Sequence, residues 1–284
     1  MSEQVYTIIL NSNNKSSDNS FTYDFPAPVK MLPSAKIALQ SISMYNSIFN
    51  IEASRLNNKI SIIWNADTSV QHDFVITDGN YSISDLNYLL QFYCVENDLY
   101  LLDTNENKNK YFLEIVVNSN IYGCQINSYA LPTAATAATL NLTKPAGATW
   151  DFPTSAKAPQ IVFGSQFGSL IGFEGSTYPT GIETVDTNIR SSKTPQIAPV
   201  NSILVGCNLI HSELSTPVDL FYSFSLNSAF GALIEIKNTS LVYNSIRDGL
   251  YKNIVISLYD QAFNNLKLHD YEVVVVLSIK MDIK

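Results

Sequence analysis

Apolar residues fall at every second position in run after run of this chain, and that period dictates strands rather than helices. Tyr111, Leu113, Ile115 and Val117 alternate with polar neighbours, as do Ile203, Val205, Cys207 and Leu209, then Ile254, Ile256 and Leu258. Phe21, Tyr23 and Phe25 follow the same rule until Pro26 and Pro28, which are expected to stop that run. Residues 35–48 read as one long strand in which the alternation slips, and a slip predicts a β-bulge. Residues 111–126 read as a hairpin closed by Asn118-Ser119-Asn120. The Val-rich stretch 271–279 is apolar on both faces, which predicts a strand in the middle of a sheet. Roughly ten short strands separated by turn signals make an all-β sandwich or barrel. No internal repeat of propeller or solenoid length is visible.

One stretch breaks the period. In FVITDGNYSISDLNYLLQFYCV, Asp78-Gly79 is turn chemistry, and Leu86, Leu89, Leu90, Tyr93 and Cys94 share one face at helical spacing. Ser82 is the expected N-cap, with Asp85 as its capping-box partner and Tyr81 with Leu86 as a hydrophobic staple. One short helix, about 83–95, is therefore predicted, with Leu86, Leu89, Leu90 and Tyr93 buried.

Two stretches read as loops. Residues 128–149 are Ala/Thr-rich with two prolines and no strong period, so about 128–158 is expected to be a loop insertion in a single domain spanning 1–284. The glycines of FGSQFGSLIGFEG are not followed by the Lys-Ser or Lys-Thr of a phosphate-binding loop. A compact turn with one helical twist is expected there, burying Phe167, Leu170, Ile171 and Phe173. Residues 184–199 form a second polar loop.

Composition narrows the functional classes. Charged residues are 15% of the chain against 46% hydrophobic; a surface so poor in charge is expected to be covered by partners. The net charge of −8 disfavours direct, sequence-specific nucleic-acid binding, because such a surface does not neutralise phosphates. No run is long enough for a membrane span. The opening residues lack a basic region and a long apolar run, so no signal peptide is expected and the product is read as intracellular. Cys94, Cys124 and Cys207 are an odd, scattered set, read as buried thiols rather than a disulfide framework. His72, His211 and His269 are isolated, no metal or cofactor motif appears, and no catalytic constellation stands out. Aromatic residues reach 11%, and Tyr in particular suits protein interfaces.

The order of segments carries a resemblance. LNSNNKSSDNSFTYDFPAPVKM is followed by AKIALQSISMYNSIFNI, ITDGNYSISDLNYLL, FGSLIGFEGSTYP, TPQIAPVNSILVGCNLI and ISLYDQ. In that order they resemble the penton-type minor capsid proteins of virophages and of Polinton or polinton-like viruses, over most of the chain outside 128–158. The resemblance implies an antiparallel single jelly-roll sandwich and a non-enzymatic structural role in the virion, assembled inside the host cell. It also implies a homopentamer at each five-fold vertex of an icosahedral capsid, surrounded by major capsid protein in double-jelly-roll trimers. It carries no cofactor or catalytic residues. Candidate interface residues are Tyr178 and Pro179 after the glycine-rich turn, and Ile189 through Ile197 in the second polar loop. The rival class on the same fold is a carbohydrate-binding module or glycosidase, which needs exposed aromatics and paired carboxylates on a concave face.

Overall fold

The computed structural model describes residues 3–65, 68, 70–215 and 217–282. The chain divides into two compact units, one made of Met1–Ile48 with Val200–Lys284 and the other of Phe49–Pro199. Within the single domain expected over 1–284, contacts gather into these two units. Strand alternation marks which residues face inward, but not which sheet, or which core, a strand joins.

The first unit is a sandwich of eight long antiparallel strands: β1 Glu3–Leu10, β2 Ser20–Met31, β3 Lys36–Tyr45, β4 Ser202–Cys207, β5 Leu220–Ser225, β6 Leu233–Lys237, β7 Gly249–Asp260 and β8 Val274–Asp282. One sheet runs β1-β8-β3-β6 and the other β5-β4-β7-β2, with a short strand Lys15–Ser17 added beside β2. Most connections switch sheet, and β4 to β5 is the exception. That order, four main strands in each of two sheets with the short strand Asn244–Ser245 added beside β3, is the jelly roll. Residues 49–199 leave from the end of β3 and return at the start of β4.

Alternation builds its core. Along β8, Val275, Leu277 and Ile279 are buried, and they meet Ile37, Leu39 and Ile42 of β3 and Ile203, Val205, Ile254, Ile256 and Leu258 of the other sheet in one cluster. β8 lies between β1 and β3, as its two-sided apolarity predicts, although it starts at Val274 rather than 271. The slip in 35–48 is a bulge at Gln40: Val276 pairs with Ser41 while Leu277 pairs with Leu39. Asn238 holds it, its backbone N–H donating to Gln40 O and its side-chain amide to Leu39 O. Pro26 and Pro28 do not stop β2. Its register against β7 jumps from Asp24–Asn253 to Val29–Tyr251, so both prolines sit in a bulge where no ladder N–H is required.

The second unit has its own core and three small antiparallel sheets. Strands Lys59–Ile63, Gln71–Val75, Gln160–Phe163 and Thr177–Tyr178 form the first. Leu113–Asn118, Gly123–Ser128 and Thr187–Arg190 form the second. The third is Leu101–Asp103, Lys108–Lys110 and Leu142–Thr143. The hairpin around 118–120 is present, its strands joined through Ser119–Ile121 and a left-handed Tyr122. The polar loop 184–199 contributes a strand, with Ile189 opposite Ile126.

Among the described residues, three α-helices, not one, pack in this unit. α1, Ile83–Glu96, carries both capping-box bonds between Ser82 and Asp85. Ile83, Leu86, Leu90 and Cys94 are its buried residues; Leu89 and Tyr93, expected inside, are half-buried at the flanks of the stripe. α2, Ala134–Thr139, is capped by Thr133. It lies inside the stretch expected to be a loop insertion, and Leu131, Ala137 and Leu142 join the core of the unit. Small side chains hide such a helix, because they give no hydrophobic period to read. α3, Ser165–Ile171, turns the glycine-rich stretch into two helical turns and buries Phe167, Leu170, Ile171 and Phe173 as expected. Gly172 ends it at φ 83°, where a side chain would meet the carbonyl of Lys193.

Candidate assembly surfaces

Reactive groups are either buried or scattered. The three cysteines are free and buried, and burial pushes each thiol up to about 12, so the nucleophilic thiolate is scarce at neutral pH. Among the described residues, no group of three or more His, Cys, Asp and Glu is placed to hold a metal ion. Likewise, no described helix is long and apolar enough to cross a membrane. Most ion pairs are exposed, such as Lys237–Glu235 at 2.7 Å and Lys193–Glu174 at 3.6 Å, and pairs of that kind add little to stability. Exposed large apolar side chains are therefore the surface feature that stands out.

In the jelly roll, apolar exposure collects at an open side of the sandwich. β1 is the edge of its sheet, and β2 beyond residue 21 is the edge of the other. The inward side chains of β1 emerge step by step: Leu10 is buried, Ile8 half-buried and Tyr6 exposed. A groove of 390 Å³ opens there, walled by Tyr6, Ile8, Tyr23, Phe25, Val29 and Met281, and none of its lining residues is charged. Tyr23 and Phe25 meet edge to face at 5.9 Å, which stiffens one wall. The outward face of the same sheet adds exposed Val5, Ile9 and Val274. At the far edge, β6 and the turn before it expose Leu233 and Phe230. Sequence carried a signal for the groove: VYTIIL is apolar on both faces although it forms an edge strand, and such an edge needs a cover.

In the second unit, α1 exposes Tyr88 and Phe92 one turn apart. Near its start, Ile83, Val117, Tyr122, Pro195 and Ile197 line a pocket of 320 Å³, with Tyr122 79% exposed. The interface residues expected from sequence all fall in this unit. Tyr178 is half-buried, its ring 5.0 Å from Phe173, and its hydroxyl donates to Glu174 O. Pro179 is buried, and its carbonyl accepts from the Gln160 amide at 2.8 Å. Ile189 and Ile197 are half-buried against the core. Asn50 ties Ile197 down, donating to its carbonyl at 2.7 Å and to Tyr81 O at 2.8 Å. Of the four, Ile197 also lines the 320 Å³ pocket.

No family model matches the chain, and no curated protein matches it. Among solved structures, the chain is similar to the mavirus penton protein, with 99% of each chain covered, 11% identity and a TM-score of 0.42.

Proposed function

We propose that this chain is a structural capsid protein, a penton-type subunit that closes the five-fold vertices of an icosahedral shell as a homopentamer. The observation that carries the reading is the jelly roll itself, order β1-β8-β3-β6 against β5-β4-β7-β2, arising from a chain whose segments follow the order of penton-type proteins. A jelly roll alone does not specify function. Here it is joined to a charge content of 15% and to an uncharged apolar groove between two free strand edges. A closed ring needs two different, complementary flanks on each subunit. The β1/β2 groove is proposed as one flank and the β6 edge with Phe230 and Leu233 as the other. Ile197 and its pocket are proposed as a further contact. Tyr178, Pro179 and Ile189 act by shaping that surface from beneath. The neighbours around the ring are trimers of the major capsid protein, and the role needs neither catalysis nor a cofactor. With a net charge of −8, the subunit leaves genome binding to other components.

The test is imaging of the particle, with sedimentation of the purified chain beside it. Five copies fitted to the vertex density are the expected result, with about 800 Å² or more buried per subunit at each neighbour contact. Vertex density that five copies cannot fill ends the reading, whatever the free chain does in solution.

A further inference from the structure

The two sheets of the jelly roll end differently. In the sheet β5-β4-β7-β2 both edge strands are irregular. β2 carries Pro26 and Pro28 in its bulge, and β5 skips Phe221 in its register, with Val205 opposite Tyr222 and Gly206 opposite Leu220. Prolines and bulges keep an edge from pairing with another chain. The sheet β1-β8-β3-β6 has neither device at its ends. β1 pairs with β8 from Glu3 to Leu10, and β6 with β3 from Leu233 to Lys237, both without a register shift. From Gln4 to Leu10 the chain has no charged residue and no proline. On β6 the charged residues are Glu235 and Lys237, which pair with each other at 2.7 Å. Among the described residues, no strand lies on the outer side of β1 or of β6.

Direction and face decide what fits there. Every neighbouring pair along β1-β8-β3-β6 is antiparallel, so the two end strands run in opposite senses. A copy rotated about an axis along the strands keeps those senses and brings its β6 antiparallel to β1. Tyr6, Ile8 and Leu10 form the inner row of β1, and buried Ile234 with half-buried Ile236 the inner row of β6. A slip of one residue sets inner rows against outer rows. Placing Ile234 opposite Ile8 and Ile236 opposite Tyr6 also places exposed Leu233 opposite exposed Ile9, Glu235 opposite Thr7 and Lys237 opposite Val5. A slip of two residues either way sets Glu235 against Val5 or Ile9 and leaves Leu233 opposite Thr7 or Asn11. We propose that copies of this chain join by strand addition: β6 of one subunit continues the sheet of the next along β1, in the register Leu233–Ile9 to Lys237–Val5, and extends over the mouth of the β1/β2 groove. The inference rests on the ring reading and names the bonds that make the ring, main-chain hydrogen bonds between two strand edges. The outer row stays at the solvent face, so a lysine at position 9 is accommodated diagonal to Glu235.

Cysteine cross-linking reads the register directly. Directly opposite residues of an antiparallel pair lie about 4.5–5.5 Å apart at Cα, within the span of a disulfide. Ile9 and Leu233 are 53% and 49% exposed, so both accept cysteine without cost to the core. Cys94, Cys124 and Cys207 are buried and do not compete. Particles assembled with Ile9→Cys/Leu233→Cys are oxidised, denatured and resolved without reductant. A covalent ladder rising to five subunits is expected. The offset pair Ile9→Cys/Lys237→Cys, about 13 Å out of register, is expected to leave the subunits unlinked. A vertex that holds five copies but yields no ladder overturns the strand pairing and leaves the ring reading standing. An equal ladder from the offset pair overturns the register. Dimers from Ile9→Cys alone mean that β1 pairs with itself about a two-fold axis, which overturns the proposal as well. Vertex density that five copies cannot fill removes the ring reading and this inference with it.

Discussion

Ser82 holds the start of α1 through a reciprocal pair: the Asp85 N–H donates to its hydroxyl at 3.1 Å, and the Ser82 N–H donates to the Asp85 carboxylate at 2.8 Å. This was legible in sequence because a capping box is local, needing only residue types three positions apart. Ser82→Ala is expected to cost about 0.5–2 kcal/mol, read by chemical denaturation. The hydrogen bonds from Ser82, side chain first and then backbone, lower the Asp85 pKa below its ordinary value of 3.8. A depressed carboxylate stabilises the fold above its unfolded pKa, and that contribution disappears as pH falls through the folded value. The stability gap between wild type and Asp85→Asn should therefore be full at pH 6 and close progressively in acid below about pH 4. A gap that stays constant down to pH 2 contradicts the assignment. Gly172 shows what sequence does not reveal. Its need for φ 83° was hidden among regularly spaced glycines, and the nearby Lys193 carbonyl comes from twenty-one positions along the chain. Gly172→Ala is expected to destabilise by about 1–3 kcal/mol from the backbone alone, with more from the clash. A melting temperature equal to wild type counts against this.

Elements were legible where one period filled them. β8 was readable as a central strand, because edge strands this apolar on both faces invite aggregation. Removing residues 274–284 deletes the partner of both β1 and β3 and the buried Val275, Leu277 and Ile279. No soluble, folded product is expected from that truncation. α2 was not readable, since alanine and threonine face core and solvent alike without a hydrophobic contrast. Its place in the core reverses the outcome expected of cutting it out. Excising 128–158 removes Leu131, Ala137 and Leu142 from the packed interior and exposes the partners they cover. Loss of a cooperative transition in residues 49–199 is expected, where an excised surface loop would leave melting unchanged. The bulges at Gln40 and around Pro26–Pro28 fall between these cases. A slip in alternation marked the first, but proline chemistry suggested an end to β2 where the strand makes a detour.

At the scale of the molecule, the division into two units escaped sequence because both parts use the same alphabet of short alternating strands. Only contacts over long separations, such as β3 with β8, assign strands 36–45 and 274–282 to one core. The assembly surface was partly legible. Low charge called for a partner, but the groove is made by the relative position of two edges, β1 and β2, which sequence does not give. That groove supplies the decisive test of the proposed ring. Val29 and Phe25 line it from β2 while the buried core of the sandwich lies behind them. Outward Val5 and Ile9, exposed on β1, tolerate charge without cost to that core. Ile9→Lys is therefore a control for the outer face, and Val29→Asp a probe of the groove itself. If the groove is a ring flank, Val29→Asp forces an unpaired carboxylate into a desolvated contact, and assembly should weaken at least tenfold. Val29 is only half-buried on the edge strand β2, so the monomer should keep its fold, with a native circular dichroism spectrum. Assembly unaffected by Val29→Asp but abolished by Ile9→Lys would move the interface to the outer face of the sheet. Assembly unaffected by both would remove this side of the jelly roll from the ring altogether.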